Sequence, residues 1–209
     1  MIYGVTDRTW TGQKTLYQQV EEALMGGMTM VQLREKGLRE ADRAAFLREA
    51  RRMREITRQY QVPLIIDDDV ETALDCGADG VHVGQGDMDA GLARKLLGPG
   101  GILGVTAKTV EQARKAQEQG ADYLGSGAIF GTATKADAKP MTMETLKSIC
   151  GAVSIPVVAI GGIHLGNIRE LAGSGVAGAA IVSGIFGAED IRSATQALLT
   201  SMRENLEKI

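Results

Sequence analysis

The chain has 209 residues, 23 basic and 26 acidic side chains, a net charge of −3 and 44% hydrophobic residues, which suits one globular domain over residues 1–209 with a full core. That balance argues against a general attraction to nucleic acid or an anionic membrane, and no stretch approaches the ~18 apolar residues of a membrane helix. Cys76 and Cys150 stand apart from each other and from the only histidines, His82 and His164, so neither a disulfide framework nor a Cys/His zinc site is indicated. The N-terminus has no basic segment followed by an apolar one, so a cytoplasmic location is expected. The 27 glycines are nearly twice the usual ~7% and follow no Gly-X-Y period, which assigns them to turns.

Short apolar, β-branched runs alternate with runs of helical period, the pattern of successive βα units and a parallel sheet. In chain order the strand candidates are Ile2 to Val5, Met30 to Arg34, Leu64 to Asp67, Gly80 to Val83, Ile102 to Thr106, Tyr123 to Ser126, Val157 to Ile160 and Ala179 to Val182. A helix is expected after each. The longest intervening segment, Arg39 to Tyr60, puts Phe46, Ala50, Met53, Ile56 and Tyr60 on one helical face. Its arginines are interspersed with Glu40, Asp42, Glu49 and Glu55, so that segment reads as a solvated helix exterior and not a nucleic-acid patch.

A repeat supports the count. Gly27-Met-Thr, Gly77-Ala-Asp, Gly120-Ala-Asp and Gly175-Val-Ala each stand just before an even-numbered strand, roughly 50 residues apart, where a glycine can take the left-handed conformation that ends a helix. Four βαβα modules suit an α/β fold of the closed (β/α)8 TIM-barrel type. An open doubly wound sheet would call for a dinucleotide fingerprint, and no G-x-G-x-x-G follows the first strand.

In such a barrel function sits at the C-terminal strand ends, where the unexpected polar residues fall. After the second strand an extended run would put Gln32, Arg34 and Lys36 on one face, two cations suited to a diphosphate, or else a charged strand end in water. Adjacent strands lie ~4.8 Å apart, so Asp68 and Asp87 could share Mg²⁺; the alternative is that each caps the helix that follows it. His82 reads as a packed histidine. The segment Gly131 to Pro140 offers Thr132, Thr134 and Lys135 to a phosphate, or is a polar loop without a ligand. Gly161-Gly162 and Val182-Ser183, after the seventh and eighth strands, match the recurrent phosphate cradle of this barrel class; their glycines could instead serve only close helix packing.

These segments together resemble the thiamine-phosphate synthase family, nearly end to end. The likeness is carried by Val5-Thr6-Asp7-Arg8, Gln32-Leu33-Arg34-Glu35-Lys36, the run from Gly77 to Gln85, Ile129 to Lys135, Ala159 to Ile163, and Val182-Ser183. The resemblance implies a Mg²⁺-assisted transferase of thiamine biosynthesis that joins hydroxymethylpyrimidine diphosphate to a thiazole phosphate, or its carboxylated form. It implies Gln32, Arg34 and Lys36 on the pyrimidine diphosphate, Asp68 and Asp87 on the metal, and Lys135 on the leaving diphosphate. It places Arg34, Lys36 and Lys135 as the catalytic cations. Thr132 and Thr134 would bind the thiazole phosphate or its carboxylate, and Gly162, Val182 and Ser183 would cradle the phosphate. Three positions depart from the family pattern: Asp67 replaces the usual asparagine that reads the aminopyrimidine, Asp69 a common arginine, and Thr106 the usual serine. An ionised Asp67 cannot donate a hydrogen bond, whereas Thr106 keeps its hydroxyl. The competing functions are a thiazole tautomerase on the same fold, a sensor of thiamine precursors without turnover, and a Schiff-base aldolase using Lys135. No nucleic-acid or membrane partner is expected, and a homo-oligomer is left open.

Overall fold

The computed structural model describes residues 1–131 and 140–206. Its eight strands are β1 (Ile2–Val5), β2 (Met30–Leu33), β3 (Leu64–Asp67), β4 (Gly80–Val83), β5 (Ile102–Thr106), β6 (Tyr123–Gly127), β7 (Val157–Ile160) and β8 (Gly178–Ile181). They close into one parallel barrel in sequence order, with β1 paired to both β2 and β8. Three strands differ from expectation: β2 stops at Leu33, β6 runs on to Gly127, and β8 starts and ends one residue earlier.

Each strand is buried on both faces, and its period-two alternation sorts side chains into two cores. Tyr3, Val5, Met30, Ile65, Tyr123, Val158 and Ala180 pack inside the barrel. Their neighbours Ile2, Val31, Leu64, Ile66, Val81, Leu103, Leu124, Val157 and Ile181 point outward into the layer shared with the helices. Register then fixes which polar residues reach the mouth together. Asp67 pairs with His82, His82 with Gly104 and Gly104 with Tyr123, so inward positions of β3 to β6 follow one row of pairing partners, with Thr106 two residues nearer the mouth on β5.

The helices are α1 (Leu16–Met25), α2 (Lys36–Ala41), α3 (Arg43–Gln59), α4 (Val70–Cys76), α5 (Ala90–Leu97), α6 (Val110–Glu118), α7 (Met143–Ala152), α8 (Ser183–Phe186) and α9 (Ile191–Leu206). One helix per strand is therefore not what forms. Two helices follow β2 because Asp42 breaks the run and caps α3 by accepting from Ala45 N at 2.9 Å. Between β7 and β8 stands only a 3-10 turn, Ile168–Leu171. Four residues of the expected face, Phe46, Ala50, Met53 and Ile56, are buried in α3, while the fifth, Tyr60, is the C-cap beyond the helix and packs half-buried against the same core. Burying Phe46, Met53 and Ile56 contributes roughly 1.5–3 kcal/mol each, so Phe46→Ala would cost about 3–5 kcal/mol. Among the described residues, no helix is long and apolar enough to cross a membrane.

All four repeat glycines have positive φ: +94 at Gly27, +67 at Gly77, +89 at Gly120 and +86 at Gly175. After three of them the residue two places later completes the device with a polar side chain, whereas Gly175 is followed there by Ala177. Asp79 accepts from Leu64 N at 2.8 Å and takes a bidentate ion pair from Arg54. Asp122 accepts from Leu103 N at 2.7 Å and pairs with Arg94 through one oxygen. Thr29 meets Ile2 N through its hydroxyl at 3.0 Å. The repeat thus ties strand starts together at the face of the barrel opposite the mouth, where it serves stability.

Candidate active site

The mouth of the barrel holds a pocket whose empty space, opening included, is about 1090 Å³. Seven of the expected substrate-binding residues line it: Gln32, Arg34, Asp67, Thr106, Gly162, Val182 and Ser183. Thr132, Thr134 and Lys135 lie outside the described residues. Lys36, Asp68 and Asp87 stand beside the pocket and are joined to it through Arg34 and Asp67.

On the side built by β2, β3 and β4, charge is concentrated. Gln32, Arg34 and Lys36 do not share one extended face as expected, because the strand ends at Leu33 and Lys36 opens α2. Two of the three still converge on the β3 end. Arg34 Nε lies 3.5 Å from Asp67 Oδ2, and Lys36 Nζ lies 2.9 Å from Asp68 Oδ2, an ion pair without hydrogen-bond angles. Asp68 has φ +60, an uncommon conformation for a residue with a Cβ, which turns its carboxylate toward α2 and away from the helix it precedes.

The capping alternative for Asp68 and Asp87 does not hold. Helix α4 is capped by Asp69, which accepts from Thr72 N at 2.8 Å, and α5 by Asp89, which accepts from Leu92 N at 3.2 Å. Asp87 instead accepts from Gly84 N at 2.9 Å, a bond that holds its loop closed. Asp69, one of the departures from the family pattern, therefore has a structural task.

Four carboxylates are perturbed here. Burial pushes Asp67 up to about 7, and the neighbouring charge of Asp68 adds to that, against the pull of Arg34 and Lys36. Burial opposes the charge on Asp68 too, but the neighbouring Asp87 carboxyl and the cations Lys36 and Arg39 outweigh it and hold Asp68 below the usual range. Asp87 moves up, through burial and the nearness of the Asp68 carboxylate. Beside them burial lifts Glu35 to about 7, despite an ion pair with Arg8 Nε at 2.5 Å. Asp68 and Asp87 thus perturb each other in opposite directions, as two carboxylates placed to meet one cation would. Among the described residues no group of three or more His, Cys, Asp or Glu could hold a metal. Two carboxylates suit Mg²⁺, which keeps several waters and takes its remaining ligands from substrate phosphates.

The side built by β7 and β8 is made of backbone. Gly161 and Gly162 follow β7 with φ +103 and +64. A Cβ on Gly162 would lie 2.2 Å from Gly131 O and 2.9 Å from Phe130 O, so this glycine is required by the chain after β6 as well as by its own backbone. A Cβ on Gly184 would lie 2.6 Å from Ile163 O. Asn167 pins this loop by donating to Gly162 O at 2.9 Å and accepting from His164 N. Helix α8 begins at Ser183 with no side-chain cap, which leaves its first turn open to a ligand. Sequence reasoning passed over Lys108 and Asn167, and it saw His82 only as packing. His82 is buried as expected and also lines the pocket. Lys108, two residues beyond the end of β5, was detectable as a cation at a strand end.

A closed parallel (β/α)8 barrel with a polar pocket at the C-terminal ends of its strands defines a TIM-barrel enzyme with the layout of a phosphate-ester site. Within that class, the family model described as thiamine monophosphate synthase matches residues 2–185, and the chain belongs to that family. It is 50% identical over 198 residues to a thiamine-phosphate synthase of Ruminiclostridium cellulolyticum, covering 95% of this chain and 93% of that one. It is 47% identical over 205 residues to thiamine-phosphate synthase 2 of Streptococcus pneumoniae, covering 98% and 96%. The thiamine phosphate pyrophosphorylase structure from Pyrococcus furiosus superposes with a TM-score of 0.89 at 40% identity, covering 98% of this chain and 96% of that one.

Proposed function

We propose that this chain is a transferase that joins an aminopyrimidine methyl diphosphate to a thiazole phosphate, or its carboxylated form, releasing diphosphate and forming thiamine phosphate. The observation that carries the reading is the division of the mouth. A charged side with Arg34, Lys36, Asp68 and Asp87 faces a glycine side at Gly161, Gly162 and Ser183, in a chain that matches its family over nearly its whole length. Retention of the charged side favours this activity over thiazole isomerisation, which involves no diphosphate.

The bond that breaks is the C–O bond between the ring methylene and the diphosphate, and the oxygen leaves with the electron pair. Arg34 and Lys36, with Lys135 by family likeness, neutralise the charge that grows on it. Gln32, Asp67 and Thr106 hold the pyrimidine ring, whose amino group feeds electrons to the cationic carbon. The thiazole nitrogen then supplies the lone pair for the new C–N bond, held in line by Thr132, Thr134, Gly162, Val182 and Ser183 through the phosphate or carboxylate. Asp68 and Asp87 would hold Mg²⁺, which when bound neutralises charge on the departing diphosphate. No side-chain nucleophile is needed. With a proton, Asp67 can donate to the ring, which answers the loss of the amide that the family usually has there. A cytoplasmic location and action without nucleic-acid or membrane partners belong to the same proposal.

The test is to mix both substrates with Mg²⁺ and the purified chain and to measure diphosphate and thiamine phosphate. Equal amounts of the two products are expected. Absence of both with a folded protein would reject the reading.

A further inference from the structure

Beneath the pocket, five side chains from five strands form one continuous row of hydrogen bonds. Gln32 Nε2 donates to Tyr3 Oη at 2.7 Å, and Tyr3 Oη meets Tyr123 Oη at 2.8 Å. Tyr123 Oη lies 3.0 Å from His82 Nδ1, and His82 Nε2 lies 2.9 Å from Thr106 Oγ1. The two phenol rings meet edge to face with centroids 5.8 Å apart. Space for the row comes from missing side chains. A Cβ on Gly104 would lie 2.2 Å from Tyr123 Cζ and 2.5 Å from His82 Nδ1, and one on Gly125 would lie 3.0 Å from His82 Cε1. The barrel interior is thus cleared at two glycines for this arrangement.

A row of single-proton groups has a direction. Burial keeps both phenols far above the ordinary tyrosine value, so each remains a neutral hydroxyl with one proton to give. A buried donor left unused is costly, so each proton goes to the acceptor opposite it. Tyr3 accepts from the Gln32 amide and therefore gives its proton to Tyr123. Tyr123 then gives its own to His82 Nδ1. A neutral imidazole that accepts at Nδ1 carries its proton at Nε2 and donates it to Thr106, whose own hydroxyl proton is left for the pocket.

We propose that Tyr3, Tyr123 and His82 are positioning residues that form a one-way hydrogen-bond chain from Gln32 to Thr106, holding His82 as the neutral Nε2–H tautomer and making Thr106 a donor to an acceptor atom of the aromatic substrate. This rests on the reading of the pocket as an aminopyrimidine site, whose ring nitrogens are such acceptors. The chain ties two ring-holding residues on opposite sides of the pocket into one pattern, so the site recognises an arrangement of donors and acceptors rather than ring shape alone. The departure from serine to threonine at position 106 suits this role, because the extra methyl restricts the rotamers of a hydroxyl that must face both His82 and the ligand.

With only two histidines, the tautomer can be read directly. Long-range ¹H–¹⁵N correlation spectra of the ligand-free, ¹⁵N-labelled protein at neutral pH would be recorded for wild type and for His164→Gln, which assigns the remaining signal to His82. The expected spectrum shows a single slow species with Nδ1 unprotonated and Nε2 protonated. In Tyr123→Phe, which removes one hydroxyl and keeps the ring, the His82 signals should move toward a tautomer mixture. The KM for the pyrimidine diphosphate should rise several-fold while that for the thiazole phosphate stays within twofold. An Nδ1–H tautomer, an imidazolium or a fast average in wild type would overturn the proposal, as would a Tyr123→Phe protein with unchanged spectra and KM values. Failure of the functional reading would look different: no diphosphate release from wild type, with the His82 tautomer still fixed.

Discussion

The two sides of the barrel mouth do related work with opposite materials. On the β2 to β4 side, long charged side chains reach toward one another, and the ion pairs Arg34–Asp67 and Lys36–Asp68 define the geometry. On the β7 to β8 side, positive-φ glycines keep side chains out of the way so that backbone groups form the surface. Under the proposed function, the first arrangement would neutralise charge that changes during the reaction and the second would grip a group whose charge stays constant. Differential stabilisation is needed only on the first side. Substitutions there should therefore act on rate, and substitutions on the glycine side should act on binding and stability.

The largest expected effect that would test this division is on rate. Lys36→Ala removes a cation from the leaving-group side and the partner of Asp68, and single-turnover kinetics should show the rate down by roughly 10²–10³-fold. Lys135→Ala should lower turnover by roughly 10²-fold, with pyrimidine diphosphate binding by calorimetry much less affected. Gly162→Ala should behave in the other way. Its Cβ meets Gly131 O and the residue keeps φ +64, so denaturant unfolding should show a loss of about 2–3 kcal/mol, with thiazole phosphate binding weakened and pyrimidine diphosphate binding retained.

A smaller effect concerns pH. The Asp67 carboxyl is raised by burial to about 7 in the folded chain, so between the ordinary carboxylate value and 7 the folded state binds more protons than the unfolded. Stability should therefore fall as pH rises through that window, with the full deficit above 7. Asp67→Asn removes the titration. In metal-free melts the variant should gain stability over wild type as pH rises from 4 to 8, while the part due to Glu35 remains. A difference that does not change with pH would contradict the assignment. The smallest effect belongs to Asp69→Ala, a lost cap worth about 1 kcal/mol of stability.

The contrast between the sides also explains what the sequence disclosed. Charged residues at strand ends are conspicuous in a chain of alternating apolar runs, so Arg34, Lys36, Asp68 and Asp87 were legible by position. The repeat glycines were legible because each precedes a strand at similar spacing. Other features depend on contacts distant in sequence. Nothing local says that Asp69 and Asp89 would take the capping positions and leave Asp68 and Asp87 to each other. The split at Asp42 was hidden because the helical period continues across it. His82 looked like packing because its partners, Tyr123 and Thr106, are 41 and 24 residues away and become neighbours only when the barrel closes. Thr132, Thr134 and Lys135 rest on family likeness alone.

Neighbouring aspartates give the most direct test of the account's central claim, that Asp68 and Asp87 are placed for a cation while Asp69 and Asp89 hold helices. Diphosphate release would be measured against Mg²⁺ concentration for wild type, Asp68→Asn and Asp69→Asn, with thermal melts of each protein. Asparagine caps nearly as well as aspartate, so Asp69→Asn should keep the wild-type rate, Mg²⁺ midpoint and melting temperature. Asp68→Asn should melt like a folded protein yet need more Mg²⁺ and turn over more slowly at saturation. An Asp68→Asn protein with the wild-type rate and Mg²⁺ midpoint would contradict the account.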